Sequence, residues 1–570
     1  MTRIGMKLGV GLVIVCAVVA ACPVWGQTTR TVTVRTGAAI QAAIDLSAPG
    51  DTVELLGGDA YVLSGKINAK SGVNIVGAGI GQTVLTATGS FDRFIEMEGV
   101  NNVTLRGLTM DGTGSGLSYG VVAWNGSGHT IDRIEVKELS GPEFGPLGVY
   151  FSTNVTDSSI TNSEFSEIGT DADFGGGIRV AMQSKRVTVE GNTVTNTGRG
   201  GIFFNDGSSD AVIRNNTVTG SGLEAFGLGI ELQNDVDGSV VEGNTIDSWL
   251  SVDNSQRVAV RDNKIGSATA TDFKFAGLEL VDVTHVVLAD NDVLRGTDVG
   301  LSFSGQEDTE GVIVARNEIT RSNTFSAQLQ GDDNEDGNVL AKVLLLENKL
   351  TDGLGGTGFV GDGFGDGLRL NANVEDLLAV GNEITGHAGQ GLSLLGQNER
   401  LRFIDNEIKN NAGDGVHPTD GASLPTDLQW LNNVVSGNGS DAQPVSQGFA
   451  DGFQTVSLGA VGELEVGEAV TLSVTPSLGF VPDAVLWDLG YGTPVLGLSV
   501  DAVFDGPGEY EVTVLAYDDL NVAYDTVMIT VVPEPATLTL TGLSVLLGTL
   551  RLGGRRRARR MAEAGSRAAS

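Results

Sequence analysis

Thiols are nearly absent from this chain: its 570 residues include two cysteines, Cys16 and Cys22, both within the first 26 positions. A chain matured beyond that point has no disulfide and no thiolate metal site. Basic residues are also scarce, with 35 Lys and Arg against 71 Asp and Glu and a net charge of −36. Phosphate binding needs clustered Lys and Arg to release counterions, so a nucleic-acid partner is excluded. The four histidines, His129, His285, His387 and His417, are too scattered for a metal cluster. With 13 prolines beside 82 glycines, Gly plus Pro stays below the share that marks low-complexity chains. The glycine therefore acts as punctuation between ordered segments.

Long apolar runs lie at the two ends. Arg3 and Lys7 precede an apolar run over 8–21, and Val24-Trp25-Gly26 offers a cleavage site, so residues 1–26 read as a secretory signal peptide. Val19-Ala20-Ala21-Cys22 permits a second reading, a lipobox that would place a lipid on Cys22. At the far end, Val532-Pro533-Glu534-Pro535 is followed by an apolar run over 536–550 and by six arginines between Arg551 and Arg560. A run of this length falls short of the ~20 residues that span a bilayer comfortably, and the arginines would hold the tail in the cytoplasm. Without the two ends, residues 27–535 hold 26 basic and 70 acidic groups, a net charge of −44.

The C-terminal order over 533–560 resembles the PEP-CTERM sorting signal of Gram-negative bacteria that make exopolysaccharide. That resemblance implies export across the inner membrane, transient membrane insertion through the C-terminal segment, cutting by an exosortase-type enzyme, and a cell-surface or matrix location. A plain C-terminal membrane anchor gives the same topology.

One pattern recurs through the body of the chain: an apolar-polar-apolar strand, a short turn, Asn, one residue, then Ile, Val or Leu. It appears as VTVEGNTV at Asn192 and AVIRNNTV at Asn216, and continues through Asn244, Asn263, Asn291, Asn317, Asn348, Asn382 and Asn406 to LQWLNNVV at Asn433. A second strand opens on Gly and alternates apolar residues, as in GIRV at 177, GIFF at 201, GIEL at 229, GLEL at 277 and GLRL at 367. Successive Asn lie 19 to 34 residues apart, about one coil of a solenoid. Ala39 to Asp45 has apolar residues at helical spacing and is followed by Pro49-Gly50-Asp51. These features resemble the right-handed parallel β-helix of the pectate-lyase-like superfold, with an N-terminal capping helix, over 27–453. The Asn positions read as structural, with each Asn in the left-handed region and bonded to its neighbours above and below.

Residues 457–532 carry short strands at sandwich spacing. Trp487-Asp488-Leu489-Gly490-Tyr491-Gly492 with Gly508-Glu509-Tyr510 resembles a PKD-type immunoglobulin-like module, although Tyr491 stands where that family usually has Asp. Trp487 reads as core and the module as a spacer or adhesive unit. The fold class is all-β: a β-helix solenoid followed by a small β-sandwich.

Side chains alternate along a strand, so the middle residue of each Gly-led strand faces outward. Taken coil by coil, that row is Tyr150, Arg179, Phe203, Glu231, Glu279, Ser302, Gln328, Arg369, Ser393 and His417. The next outward position adds Trp124, Asn205, Gln233, Gln330 and Asn371. Rings stack on sugar faces, and amides and charges bind hydroxyls and carboxylates, so the row suits an extracellular polysaccharide. Two combinations are candidates for chemistry. Glu231 and Glu279, separated by the one coil that carries Trp249 and Ser251, could act as the carboxyl pair of a hydrolase. Arg179 could instead neutralise a uronate carboxylate while a base removes the C5 proton, as in lyases and epimerases. The motif set of polygalacturonases and a matched lyase arginine motif are absent. Asp332, Asn334 and Asp336 have the alternation of a calcium loop, with Val343 where its closing Glu would stand, making calcium the one cofactor indicated. The alternative to a glycan-active protein is a non-catalytic adhesin or matrix component.

Overall fold

The structure is a computed structural model that describes residues 27–141, 145–169, 175–222, 227–267, 274–295, 297–304, 308–331, 338–358, 361–362, 365–418, 425–446 and 454–533. Residues 1–26 and 534–570, on which the readings of a signal peptide and a sorting signal fall, and the Asp332-Asn334-Asp336 loop lie outside these residues. No helix among the described residues is long and apolar enough to cross a membrane.

Helix α1, Gly37–Asp45, starts at Thr36, whose side chain accepts a hydrogen bond from the Ala39 backbone N–H. Its Ile40 and Ile44, one helical turn apart, are buried in the same core as the first strands. After the helix the chain winds through three parallel sheets, which hold 16, 14 and 15 strands among the described residues. The 16-stranded sheet runs from Thr29–Val32 to Thr426–Leu431, the 14-stranded sheet from Ile67–Asn68 to Val416–Pro418, and the 15-stranded sheet from Tyr61–Leu63 to Val434–Ser436. The Gly-led strands make up most of the 14-stranded sheet, here called the groove sheet. Alternation sends one side of every strand into a continuous core of Val, Ile, Leu and Phe.

The ten Asn form one unbroken buried ladder. In each step the Asn backbone N–H and Nδ2 both donate to Oδ1 of the Asn in the next coil, as from Asn192 to Asn216 at 3.0 Å for both contacts. Nδ2 also donates to a carbonyl of the coil before, as from Asn216 to Val189 at 2.9 Å. The expectation that these Asn adopt the left-handed conformation is corrected by the backbone. The residue before each ladder Asn has the positive φ, as at Asn215 (φ 55), Asp262 (φ 53), Asp290 (φ 57) and Gly243 (φ 64). The reversal one residue earlier turns the amide inward, where its donors and acceptor meet the stack.

The strands over 456–532 form a three-stranded and a five-stranded sheet around a second core. Trp487 is fully buried there and donates from Nε1 to the Gly497 carbonyl at 2.6 Å. Tyr491 packs edge-on against Phe504 and Tyr510, and its hydroxyl accepts from the Val503 N–H at 3.2 Å. The sandwich lies against the solenoid and does not project from it as a spacer. Leu486, Leu515, Tyr517 and Val522 cover Val287, Ile313, Leu344, Leu346 and Leu378 on the outer face of the 16-stranded sheet. Runs such as LAKVLLL at 340–346 are apolar on both sides because both sides are covered.

A buried ion pair sets the position of this contact: Arg261 of the solenoid meets Asp488 of the sandwich at 2.6 Å, with side chains 3% and 0% exposed. Removing one partner strands a buried charge, so Arg261→Met is expected to cost about 3–5 kcal/mol, most of it recovered in Arg261→Met/Asp488→Leu. Denaturant unfolding of the single and double variants checks this; equal losses in both would contradict it.

Candidate active site on the groove sheet

Strand register places the outward row in one line across the groove sheet. Val122 pairs with Tyr150, Tyr150 with Arg179, Arg179 with Phe203, and Phe203 with Glu231. The line continues through Ser251, Glu279, Ser302, Gln328, Arg369 and Ser393 to His417. Glu96, paired with Val122, extends it at the N-terminal end. The second row brings Asn205, Gln233 and Asp253 side by side.

The candidate residues do not share one pocket. Trp124 lies at the N-terminal end, where the Arg93 guanidinium stands 5.2 Å from its ring and 5.6 Å from that of Tyr119. Tyr119 and Tyr150 stack at 6.1 Å, and Arg179 follows 5.8 Å from the Tyr150 ring. Gln328, Gln330, Arg369 and Asn371 occupy the other half, with Asn371 Nδ2 donating to Gln330 Oε1 at 2.7 Å. His417 ends the row, its Nδ1 3.2 Å from Asp414.

The centre is different. Arg179, Arg199, Phe203, Asn205, Glu231 and Gln233 line a recess of about 80 Å³. Phe203 forms its floor and not an exposed platform: the ring lies across Gly176 and Gly200, where an added Cβ would come within 2.7 and 2.4 Å of it. Glycine at these two strand starts is therefore a requirement of the aromatic floor.

Glu231 and Glu279 are both 7% exposed and stand on either side of Ser251, two strand spacings apart. Burial raises the Glu231 carboxyl above the usual carboxylate range, opposed mainly by Arg199, whose Nη2 lies 3.5 Å away. Burial pushes Glu279 up to about 7, and no cation among the described residues opposes it. Its Oε2 accepts from Ser251 Oγ at 2.8 Å and Trp249 Nε1 at 3.1 Å, which fixes the carboxyl plane. Burial also raises Asp253, which accepts from Gln233 Nε2 at 2.9 Å. One carboxyl beside a cation and another held near neutrality are suited to a base and an acid acting on the same bound group.

Overlapping stretches of the chain, residues 93–265, 176–342 and 276–451, match the family described as the right handed beta helix region. The chain belongs to that family. This β-helix is also similar to mannuronan C5-epimerases of Azotobacter vinelandii. It is 29% identical to AlgE2 over 221 residues, 34% of this chain and 21% of the relative. It is 34% identical to AlgE4 over 146 residues, 21% of this chain and 26% of the relative. The chain thus spans only about a fifth to a quarter of the length of these curated relatives. Among solved structures, the A-module of A. vinelandii AlgE6 is 20% identical, covers 72% of this chain and 96% of its own, and has a TM-score of 0.36. Alginate lyase from Paenibacillus sp. str. FPU-7 is 18% identical, covers 46% and 94%, and has a TM-score of 0.39.

Several residues of the β-helix groove escape a reading of the outward row alone. Arg199 precedes its strand, and Asp253 belongs to the second row. Trp249 sits two residues before Ser251, so its parity in WLSVD was the available signal. Of the histidines, His129 and His387 are buried in the solenoid, and His285 meets the Tyr517 hydroxyl at 3.0 Å. No cluster of metal-ligating side chains occurs among the described residues.

Proposed function

We propose that this protein binds uronate-containing extracellular polysaccharide along the groove sheet and removes the proton from C5 of a uronate. The observation that carries this reading is the pairing of Glu231, beside Arg199 and Arg179, with Glu279, held near neutrality across Ser251. The mannuronan C5-epimerases among its relatives supply the substrate class. In this mechanism Glu231 is the base. The C5–H bond breaks, its proton passes to the Glu231 carboxylate, and the electron pair spreads into the sugar carboxylate, whose charge Arg179 and Arg199 offset. The protonated Glu279 then returns a proton to C5 from the other side, inverting it. In a lyase variant of the step, the electron pair instead forms a C4–C5 double bond, and Glu279 protonates the departing O4.

A non-catalytic adhesin or matrix role is the second reading, favoured by the hydrogen bonds that already engage both carboxyls within the protein. Both readings share the setting the sequence motifs suggest: signal-peptide export, a PKD-like module, and surface sorting by an exosortase-type enzyme. The N-terminal helix is read as a cap that closes the solenoid.

Incubation with mannuronan and with neutral glycans discriminates the readings. An altered C5 epimer ratio or unsaturated ends, lost in Glu231→Gln and Arg179→Ala, is the expected result. New reducing ends alone would mean hydrolysis by the two carboxyls. Retention on the glycan without turnover would leave the adhesin.

A further inference from the structure

Arg369 stands in the same outward line as Arg179, seven strand steps away across the groove sheet. It is half-buried, its guanidinium lies 4.5 Å from the Phe325 ring centre, and its Nε has no hydrogen-bond partner among the described residues. The nearby carboxylate, Asp366, is already committed. Its Oδ1 accepts from the Gln390 N–H at 2.9 Å and its Oδ2 from Ser393 Oγ at 2.8 Å. Arg369 makes no ion pair among the described residues. Asp366 offsets part of the Arg369 charge at a distance, but a half-buried cation that makes no direct ion pair keeps donors free for a ligand. The neighbouring outward groups are neutral amides, Gln328, Gln330 and Asn371, joined to one another by hydrogen bonds. They offer donors and acceptors to hydroxyl groups without competing for the arginine.

Arg179 is similarly underpaired, with Asp206 only at 4.0 Å and its Nε unpartnered. The acidic centre of Glu231, Asp253 and Glu279 lies between the two arginines. We infer that Arg369 is a second anion-binding subsite, remote from the reacting centre, which holds a carboxylate of the same polymer chain and so makes the groove read substrate length. This inference rests on the proposed uronate substrate. Seven steps at ~4.8 Å per strand place the two arginines ~34 Å apart, so a ligand reaching both is on the order of eight sugars long. Shorter chains engage one arginine or the other. The subsite also reconciles an acidic polymer with an acidic protein, because the polymer touches a cation on either side of the acidic centre.

Calorimetry with oligomannuronates of about four and about ten residues tests the inference. The intact protein is expected to bind the longer oligomer at least about tenfold more tightly, a gain that shrinks as salt is raised. Arg369→Gln removes the gain, so that this variant binds the long oligomer no more tightly than the short one; Arg369→Lys restores part of it. If Arg369→Gln binds the long oligomer as the intact protein does, the subsite is overturned while the uronate reading survives. If the intact protein binds neither oligomer, the uronate reading fails and takes the subsite with it. Since Arg369 lies on the outer face, a circular-dichroism spectrum and unfolding midpoint matching the parent confirm that the variant is folded.

Discussion

Glu279→Gln is expected to lower turnover of mannuronan by about 10²–10⁴-fold while making the folded protein more stable above pH 7. The two effects have one cause. Burial lifts the carboxyl from its ordinary value to about 7, so the folded state favours the protonated acid. A carboxyl raised in this way contributes stability that is fully present below its unfolded value and lost as pH rises through its folded value, between about 4.5 and 7. Glutamine is neutral at every pH. Its Oε1 can accept from both Ser251 and Trp249, since both donors reach a single oxygen of Glu279. The variant should therefore match the parent at pH 4.5 and unfold at a higher temperature at pH 8. A variant that is inactive yet no more stable at pH 8 would show that Glu279 is not held neutral by the fold.

The second large effect is structural. Asn216→Ala is expected to cost about 3–5 kcal/mol, because it leaves the Asn192 N–H and Nδ2 and the Val189 carbonyl buried without their partner, at ~1–3 kcal/mol for each unsatisfied group. Asn216→Asp keeps the acceptor and loses the donors, and it adds a buried charge to the ladder, so it should be no better tolerated. Coils of a solenoid stabilise their neighbours, and the loss weakens the contacts on both sides of Asn216. Denaturant unfolding measures it, and calorimetry on the folded variant should show unchanged glycan affinity. Weakened binding by a folded variant would make the ladder part of the site.

The solenoid was legible because it is written repeatedly. The spacing of Asn192 to Asn433 marks each coil, and the Gly-led strands place Tyr150, Arg179, Glu231, Glu279 and Arg369 on one outward line. That line depends only on strand alternation and on one residue per coil sharing register. The strand pattern over 457–532 shows a sandwich but not where it docks; the signal for docking is LAKVLLL at 340–346, where apolar residues at both parities mean that both faces are covered. The ladder's left-handed residue was misplaced by one, because the Asn repeats visibly while its predecessor varies among Gly, Asn, Asp, Arg and Glu. Pairings of individual side chains were also out of reach. The difference between Glu231 and Glu279 depends on Arg199 reaching one and not the other, and that is set by the path of the chain before the strand.

Release of tritium from C5-labelled mannuronan into water reports whether Glu231 removes a proton from C5 of a bound uronate. Both epimerisation and elimination break that bond. Time-dependent release is expected from the intact protein, and at least about a hundredfold less from Glu231→Gln. Release no faster than in buffer, by protein shown to bind the polymer, would contradict it.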